Sequence, residues 1–392
     1  MKPSHVALIG GGPAGLYAAW LLASNGIRCT VFDHRIPWEK PCGGGITSKA
    51  FDQFPILAEC TRDMQVVEDF TFLSPTDRVA HLKGNAQLHI VSRHRLSAFL
   101  LDKCAEVGVV HVAEKVTGFA KNENGFTIHA ETHHGTFDFL IGADGAHGVS
   151  RNLLGAASFQ KNRFAGLGYY VEGLTDNRIV LKSYDDLKGY LWMFPRRDHA
   201  SVGIGFTSGT TTKKEALAKI RRFLSEHYPA FEIDEEKSYA ATIPYTVDWI
   251  PENLQGDGWA LIGDAGGFTD AITGEGIYYA FRSAELLAEQ LIAGTPTSYF
   301  EATRPIRREL EMACRIADRF YQPRTLEWMV TVCRRSAFMR RLIADMILGH
   351  ESYHNLKPTL KRHKWTVMRQ LFWGMFFPYK PKAAGKEAAT AA

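Results

Sequence analysis

This chain of 392 residues lacks most features that mark secreted, membrane-spanning or metal-binding proteins. Its six cysteines show no CxxC or other metal-ligand spacing, which argues against a zinc framework or a disulfide scaffold. Its fifteen histidines show no metal spacing either, so no metal site is predicted. No apolar run approaches the ~20 residues that a spanning helix needs. A strand is predicted to begin at Ser4, which leaves no room for a signal peptide, and we expect a cytoplasmic protein.

The chain also lacks a large excess of charged residues of either sign. The formal net charge is +4, charged residues make up 22% of the chain, and the first 300 residues contain no basic cluster. A nucleic-acid partner is therefore not predicted. Aromatic residues stand at 12%, which fits either a protein that encloses a flat or apolar ligand or simply a large core.

The first feature that is present is a glycine loop near the start. An apolar strand at residues 6–9 runs into Gly10, Gly12 and Gly15 in the GxGxxG spacing, and a helix follows. The glycines permit a tight turn, a close approach of backbone to a pyrophosphate, and close packing of helix on strand. Asp33 ends the next apolar run, where an acid can bind ribose hydroxyls. These residues predict a dinucleotide site.

Two later segments are predicted to lie at the carboxyl edge of the same parallel sheet. Residues 142–146 (GADGA) follow a buried strand and place the Asp144 carboxylate at its carboxyl end, where open α/β sheets bind ligands. Asp264 follows an equivalent strand, and residues 273–277 (TGEGI) open a helix. The amino terminus of that helix can stabilise negative charge.

The strand and helix patterns predict an α/β (α+β) fold with a Rossmann-like nucleotide-binding domain, an inserted antiparallel-sheet domain and a helical C-terminal region. The predicted divisions are residues 1–160 plus 250–297 for the discontinuous nucleotide domain, with part of 45–90 assignable to the inserted lobe, 161–249 for the inserted sheet domain, 298–380 for the helical region and 381–392 for a disordered tail.

The glycine loop, the GADG turn and the late Gly-Asp segment together resemble the FAD-binding fold of the para-hydroxybenzoate hydroxylase superfamily. Within that group, three local sequences resemble the geranylgeranyl reductase family: residues 40–45 (KPCGGG), 190–195 (YLWMFP) and 266–277, which begin GGFTD and end GEGI. The likeness covers about residues 4–295. The last hundred residues carry no motif that can be assigned.

This resemblance implies a non-covalent FAD. It places the pyrophosphate on the glycine loop, the adenosine ribose on Asp33, the basic side chain of Arg93 on the phosphate side, and the ribityl chain or pyrophosphate on Asp264. Asp144 is expected to organise the site. The implied FAD-binding residues are Gly10, Gly12, Pro13, Ala14, Gly15, Asp33, Arg93, Asp144, Asp264, Gly274, Gly276 and Ile277.

The substrate side of the site is predicted from one strand and one loop. A strand period of two puts Tyr190, Trp192 and Phe194 on one face, either as ordinary core beneath a covering helix or as the wall of a pocket. The resemblance favours a pocket for a prenyl chain, which Gly44 and Gly45 would also line. It places Cys42 near the flavin, for positioning or proton supply. The alternatives are a buried, inert thiol or a loop in which only the glycines matter.

The implied activity is the reduction of isoprenoid carbon–carbon double bonds by hydride transfer from reduced flavin, with Cys42, Tyr190 and Trp192 as candidate catalytic or positioning residues. NADPH or another donor would supply the electrons. The chain has only one dinucleotide motif, which FAD would occupy, so a pyridine nucleotide would have no Rossmann site of its own. A prenyl lipid is the expected partner, and no oligomeric state is predicted. The alternatives are an FAD-dependent monooxygenase or halogenase of the same fold, or a non-catalytic protein that binds flavin and prenyl lipid.

The C-terminal region has two interpretations of its own. Between His350 and Lys382 the chain is strongly basic, and apolar residues recur at helical spacing at Trp365, Met368, Leu371, Phe372, Met375 and Phe376. A basic helix with an aromatic face can lie in a membrane interface, which predicts peripheral membrane contact. The same pattern also fits a helix packed on its own domain with solvated lysines.

Overall fold

The chain contains two large β-sheets, a small three-stranded sheet formed by residues 118–137, and helices that are concentrated at its C-terminal end. Its computed structural model describes residues 2–123, 125–156, 163–247 and 249–376. The predicted tail at 381–392 lies outside the described residues. The strands are β1 (His5–Ile9), β2 (Arg28–Phe32), β3 (Gly45–Thr47), β4 (Gln65–Leu73), β5 (Val79–Ile90), β6 (Val110–Val112), β7 (Gly118–Asn122), β8 (Gly125–His129), β9 (His134–Phe137), β10 (Phe139–Gly142), β11 (Arg163–Glu172), β12 (Arg178–Lys182), β13 (Gly189–Pro195), β14 (His199–Thr207), β15 (Tyr239–Pro244), β16 (Gln255–Gly256) and β17 (Trp259–Leu261).

The helices alternate with strands in the first half of the chain and follow one another at its end. They are α1 (Pro13–Ser24), α2 (Ser48–Gln53), α3 (Arg93–Glu106), α4 (Val149–Leu153), α5 (Lys213–His227), α6 (Gly263–Gly266), α7 (Ile277–Ile292), α8 (Tyr299–Ala302), α9 (Arg304–Phe320), α10 (Pro323–Arg335), α11 (Ala337–Ile347), α12 (Tyr353–Arg362) and α13 (Lys364–Phe376). Short 3-10 helices cover Pro55–Asp63, Glu235–Lys237, Pro251–Asn253 and Pro296–Ser298.

The first sheet is the Rossmann-like part of the fold. Its order among the described strands is β16-β17-β10-β1-β2-β6, and all neighbours pair in parallel except β16 and β17. The strand order reverses between β1 and β10, so a crevice opens at their carboxyl ends. Because helices cover a parallel sheet, β10 is apolar and buried along its whole length, as a two-sided strand must be. This crevice is where the glycine loop and the GADG turn meet.

The second sheet combines strands from distant parts of the chain. Its order is β15-β11-β14-β13-β12-β4-β5-β3, with β12 and β4 parallel and the other pairs antiparallel. Strands β3, β4 and β5 come from residues 45–90 and extend the sheet formed by residues 163–244. Leu191 and Met193 of β13 share a buried cluster with Ile220 and Phe223 of α5. Alternation then turns the neighbouring residues of β13 to the opposite face.

The C-terminal helices cover the far end of that opposite face. Met329 of α10 and Leu342 of α11 are buried in one cluster with Phe70 of β4 and Leu82 of β5. Ala313 of α9 belongs to a second cluster that reaches the loop before α7. The C-terminal region is therefore part of the core around the site. No helix within the described ranges is long and apolar enough to cross a membrane.

Candidate active site

One cavity runs through the centre of the chain between the two sheets. Its volume is about 770 Å³, within the range of small-molecule and cofactor sites. It starts at the carboxyl ends of β1 and β10, passes the loop at residues 40–45 and the aromatic face of β13, and ends against α10 and α11. Every residue that the sequence predicted for cofactor or substrate lies on it except Gly15, which is buried beneath it in α1.

The glycine loop has the geometry of a pyrophosphate cradle. Gly10 has φ +104°, and a Cβ there would lie 2.5 Å from the Ala143 carbonyl oxygen. A Cβ on Gly15 would overlap the Gly10 carbonyl oxygen, so α1 packs tightly on the turn. A Cβ on Gly12 would meet nothing within 4 Å, because this backbone faces the open cavity. Gly12 also caps α1 without any side-chain hydrogen bond, which leaves the first N–H groups available to an anion.

Asp33 lies one residue beyond β2, on the cavity wall. One carboxylate oxygen accepts a hydrogen bond from the Gly11 amide at 2.8 Å, and the other accepts from the Arg35 amide at 2.9 Å. These bonds fix the carboxylate beside the glycine loop. Asp33 lines the cavity, and a ribose there could donate to its remaining lone pairs. Pro13 and Ala14 line the cavity on the helix side of the same loop.

Asp264 is held by an ion pair that the sequence did not predict. The Lys40 ammonium lies 2.6 Å from its carboxylate. Burial on its own would raise the pKa of Asp264, but Lys40, the nearby Arg93 guanidinium and the Thr269 hydroxyl together hold it below its usual range. Arg93 is the first residue of α3 and is 8% exposed. The three charges form one polar edge of the cavity.

Asp144 serves the structure of its own turn. Its carboxylate accepts a hydrogen bond from the Ser150 amide at 2.8 Å and another from the Ser150 hydroxyl at 2.5 Å. Burial raises the pKa of Asp144 despite these donors. A Cβ on Gly148 would overlap this carboxyl group, so the turn requires glycine there. The carboxylate thus anchors the start of α4 while the turn lines the cavity.

The loop before α7 is fastened from three directions. The Tyr190 hydroxyl of β13 donates to the Thr273 carbonyl, and the Tyr321 hydroxyl after α9 donates to the Ile272 carbonyl. Asp270 accepts from the Ile272 and Thr273 amides at 2.7 and 2.8 Å and from the Tyr353 hydroxyl at 3.2 Å. These bonds fix the backbone that continues into Gly274, Gly276 and Ile277. That backbone therefore presents a rigid edge to the cavity.

The two motifs at residues 40–45 and 190–195 are in direct contact. A Cβ on Gly43 would lie 3.1 Å from the Phe194 ring, and one on Gly45 would lie 3.3 Å from it. Gly44 has φ +84°, and its Cβ would overlap the Val91 carbonyl oxygen. The glycine run is thus explained by packing on both sides. Phe194 can lie flat against the loop only because these positions lack side chains.

Cys42 is positioned through its backbone. Its carbonyl oxygen accepts hydrogen bonds at 3.1 Å from the Arg196 guanidinium and from the Ser201 hydroxyl. Arg196 is 4% exposed, pairs with the Glu39 carboxylate at 3.0 Å and lies over the Tyr170 ring. Glu39 in turn accepts from the Ser92 hydroxyl at 2.5 Å. Arg196 therefore clamps both ends of the loop that carries the thiol.

The Trp192 ring packs against strand positions that are occupied by glycine. A Cβ on Gly203 would overlap its indole ring, one on Gly205 would lie 3.3 Å from it, and one on Gly166 would lie 3.7 Å from it. The ring is 8% exposed, and its Nε1 donates to the Ser201 hydroxyl at 3.5 Å. With Tyr190 and Phe194 it forms one aromatic wall of the cavity, on the face away from α5.

The apolar end of the cavity comes from helices that carry no motif. Its lining there consists of Phe320, Tyr321, Leu326, Met329, Ile343, Met346, Ile347 and Tyr353. Sequence reasoning missed all of them, since nothing local distinguishes an apolar residue that lines a cavity from one in a core.

The residues present fit FAD. The open backbone at Gly12, the uncapped start of α1 and the fixed Asp33 carboxylate match a pyrophosphate with an adjoining ribose, and the cavity continues toward the α7 loop, where the ring system would lie. Among the described residues, no group of His, Cys, Asp or Glu side chains could hold a metal ion.

Known proteins match the chain over most of its length. A family described as "FAD binding domain" matches residues 4–295. An uncharacterized protein of Methanosarcina barkeri is 30% identical over 339 residues, which cover 82% of this chain and 84% of that protein. Geranylgeranyl diphosphate reductase of Synechocystis is 28% identical over 318 residues, which cover 74% and 75% of the two chains.

Solved structures share the fold. A geranylgeranyl bacteriochlorophyll reductase-like protein from Thermoplasma acidophilum superposes with a TM-score of 0.75 at 20% identity, covering 91% of this chain and 98% of that one. The flavin-dependent brominase Bmp2 superposes with a TM-score of 0.70 at 17% identity, covering 92% of this chain and 99% of that one. At these identities the likeness establishes the architecture alone.

Proposed function

Because this chain belongs to the FAD-binding domain family and, within it, to the flavoproteins of the geranylgeranyl reductase family, we propose that it reduces carbon–carbon double bonds of an isoprenoid chain. Membership of this family makes the protein an FAD-dependent oxidoreductase. We propose in addition which substrate, site residues and electron donor it uses.

The observation that carries the proposal is the shape and lining of the cavity. One end is polar and fits a dinucleotide, while the rest is an apolar passage between the aromatic face of β13 and the C-terminal helices. A long hydrocarbon chain matches such a passage, because burial of its surface is favourable by roughly 25 cal/mol per Å². Tyr190 joins the two ends, since its ring lines the passage and its hydroxyl holds the α7 loop.

Bound FAD, once reduced, supplies the hydride for such a reduction. The protein's own contribution is positioning, because an isolated alkene is a poor hydride acceptor and must be held at about 3–3.5 Å from the donor atom in a dry site. Trp192 and Phe194 line the passage and are placed to press a prenyl chain toward the cofactor end, with Phe194 packed against the loop at residues 43–45.

The proposed electron donor is NADPH or another reductant. The one dinucleotide cradle is assigned to FAD, so a nicotinamide cofactor would have to approach the cavity from outside. Anaerobic titration of the oxidised protein with NADPH and, separately, with dithionite distinguishes these donors. Bleaching of the flavin by dithionite but not by NADPH identifies a different physiological donor.

The decisive experiment for the function uses the reduced holoenzyme under anaerobic conditions. Geranylgeranyl lipids are added, flavin reoxidation is followed by absorbance, and the product is weighed by mass spectrometry. We expect reoxidation with a gain of two mass units per reduced bond. Reoxidation only after oxygen is admitted, with oxygen or halogen in the product, would favour the monooxygenase or halogenase alternative. Retention of an unchanged lipid with no reoxidation would favour a binding protein.

We further propose that α13 brings the cavity to a lipid surface. Trp365, Met368, Phe372 and Met375 recur along one side of this helix and are each more than half exposed. Lys364 and Arg369 lie beside them. An exposed aromatic and apolar face flanked by cations suits the interface of an anionic membrane, where a prenyl lipid would be found.

A further inference from the structure

We propose that Glu275 is the acid that delivers the proton when the double bond is reduced, an inference that rests on the proposed function. Hydride addition to an alkene leaves the second carbon in need of a proton, and the donor must lie in the cavity beside the reacting carbons. The cavity lining contains several acidic side chains, and Glu275 alone combines the required placement, protonation and freedom.

The placement follows from the backbone. Glu275 lies between Gly274 and Gly276, in the loop fixed by the buried tyrosines, directly before α7 begins at Ile277. Its side chain turns toward the carboxyl end of β3, where the Thr47 hydroxyl donates to its Oε1 at 3.0 Å. Thr47 lies two residues beyond Gly45. The carboxyl group is therefore held on the cavity surface, between the α7 loop and the loop at residues 43–45.

The other acids of the cavity are committed to protein partners. Asp264 is paired with Lys40, Asp144 binds Ser150, and Asp33 accepts two backbone amides. Glu114 accepts from the Thr132 amide and hydroxyl and from the His133 amide. Asp270, near Glu275 in the chain but not part of the cavity lining, accepts from two amides and a tyrosine. Each of these carboxyl groups is held by hydrogen bonds or an ion pair from the protein. The carboxyl group of Glu275 makes one hydrogen bond within the described residues, so a second oxygen is free to carry a proton toward substrate.

The surroundings of Glu275 keep it protonated near neutrality. Burial is the main reason that its pKa is raised to about 7, and the charge of Asp270 adds to the effect. The Thr47 hydroxyl and the Lys49 ammonium of α2 act in the opposite direction. Lys49 itself lies over the Tyr278 ring, 4.2 Å from its centre. Tyr278 and Tyr279 follow Glu275 on α7, and burial raises the pKa of both hydroxyls, so they stay neutral.

The chemical step balances with these groups. As one alkene carbon receives a hydride from the reduced cofactor, the O–H bond of Glu275 breaks and its proton forms the C–H bond on the other carbon. The π bond is consumed, both electrons of the hydride remain in the new C–H bond, and the cofactor is oxidised. Glu275 is left as a carboxylate that accepts a hydrogen bond from Thr47. Water reprotonates it after the product leaves.

The test compares three variants of the FAD-loaded protein. Glu275→Gln keeps the shape and the Thr47 contact but carries no acidic proton. Thr47→Val removes the donor that favours the carboxylate, and Cys42→Ala removes the cavity thiol that is a second candidate proton donor. For each we would measure anaerobic reoxidation by a geranylgeranyl lipid from pH 5 to 9, lipid affinity, and the absorption spectrum of the oxidised flavin over the same pH range.

Glu275→Gln should slow reoxidation about 10²–10⁴-fold, the usual contribution of a positioned acid, with FAD content and lipid affinity unchanged. The wild type should lose rate as the pH rises through about 7, and Thr47→Val should shift this loss to higher pH. The flavin spectrum should show a transition near the same pH in the wild type and none in Glu275→Gln. Cys42→Ala should retain both the pH limb and the spectral transition.

Several results would overturn the assignment. Reoxidation of Glu275→Gln at the wild-type rate, or a Cys42→Ala variant that alone loses the pH limb, would exclude Glu275 as the acid while leaving the proposed function intact. A wild-type protein that shows the spectral transition but is never reoxidised by prenyl lipids would remove the proposed function, and the role of Glu275 with it.

Discussion

At the scale of single residues, the three glycines of the GxGxxG loop differ in what surrounds them, and therefore in their roles. Gly12 meets only open cavity, whereas Gly15 packs against the Gly10 carbonyl. We expect Gly12→Ala to leave the free energy of unfolding within about 0.5 kcal/mol, because the new methyl group meets no protein atom. It should weaken FAD binding by roughly 10–100-fold, because the methyl group enters the pyrophosphate space.

Gly15→Ala provides the matched comparison. Its methyl group would overlap backbone rather than a flexible side chain, so the helix must move. Overpacking of this kind costs roughly 1–3 kcal/mol in the free energy of unfolding. Urea denaturation and FAD titration of both variants check the contrast. Equal destabilisation by the two substitutions would contradict the division of roles.

Arg196 is a second residue whose role depends on geometry. It is buried against Glu39 and holds the Cys42 carbonyl, while its neighbour Arg197 is exposed. Arg196→Met should lower the free energy of unfolding by about 3 kcal/mol, because it leaves a largely buried carboxylate without its cation. Arg197→Met, the control, should change it by less than about 0.5 kcal/mol. Chemical denaturation measures both, and equal effects would refute the clamp.

Glu275 should also affect stability in a pH-dependent way, whatever its catalytic role. Its folded-state pKa of about 7 is above the ordinary 4.5, so the folded protein binds the proton more tightly than the unfolded chain. Its stabilising contribution is complete below pH 4.5 and is lost as the pH rises through 7. Between those values the unfolding free energy of the wild type should fall by about 2–3 kcal/mol relative to Glu275→Gln at fixed FAD concentration. Parallel curves for the two proteins would contradict the raised pKa.

At the scale of elements, β13 shows how much a local pattern can and cannot reveal. Alternation correctly predicts that Tyr190, Trp192 and Phe194 share a face, because successive side chains of a strand point to opposite sides. It leaves open whether that face meets a helix or a cavity. The structure answers this question: α5 covers Leu191 and Met193, and the aromatic residues face the cavity.

The helix α11 gives a prediction about the length of the bound chain. Ile343 lines the apolar end of the cavity, whereas Arg341 on the same helix is exposed. Ile343→Trp should fill that end, so KM for a geranylgeranyl substrate should rise about tenfold or more while KM for a geranyl substrate changes little. Arg341→Trp adds the same ring outside the cavity and should alter neither. Steady-state kinetics with both chain lengths provide the measurement, and an equal rise for both substrates would contradict this placement.

At the scale of the whole molecule, the sequence predicts the parts whose physics is local. The glycine loop, Asp33 and the GADG turn follow one strand each, so their positions at one sheet edge can be derived from strand order alone. The Lys40–Asp264 pair, the Arg196 contacts and the tyrosines on the α7 loop join residues 49 to 224 positions apart. No periodicity encodes such contacts, and the C-terminal lining of the cavity was missed for the same reason.

The whole molecule should also bind anionic membranes through α13. Trp365 is 70% exposed and Phe372 is 55% exposed, so both can enter an interface without disturbing the core. We expect Trp365→Gln with Phe372→Gln to weaken binding to phosphatidylglycerol-containing vesicles about tenfold or more, because two large apolar groups lose their burial. Binding of the wild type should weaken at high salt, since Lys364 and Arg369 contribute through charge. Trp328→Gln is the matched control, because this tryptophan is 56% exposed on α10 rather than α13. Vesicle flotation measures all three proteins. If the control and the double variant lose binding equally, or if neither does, α13 packs on its own domain and the prenyl substrate reaches the cavity by another route.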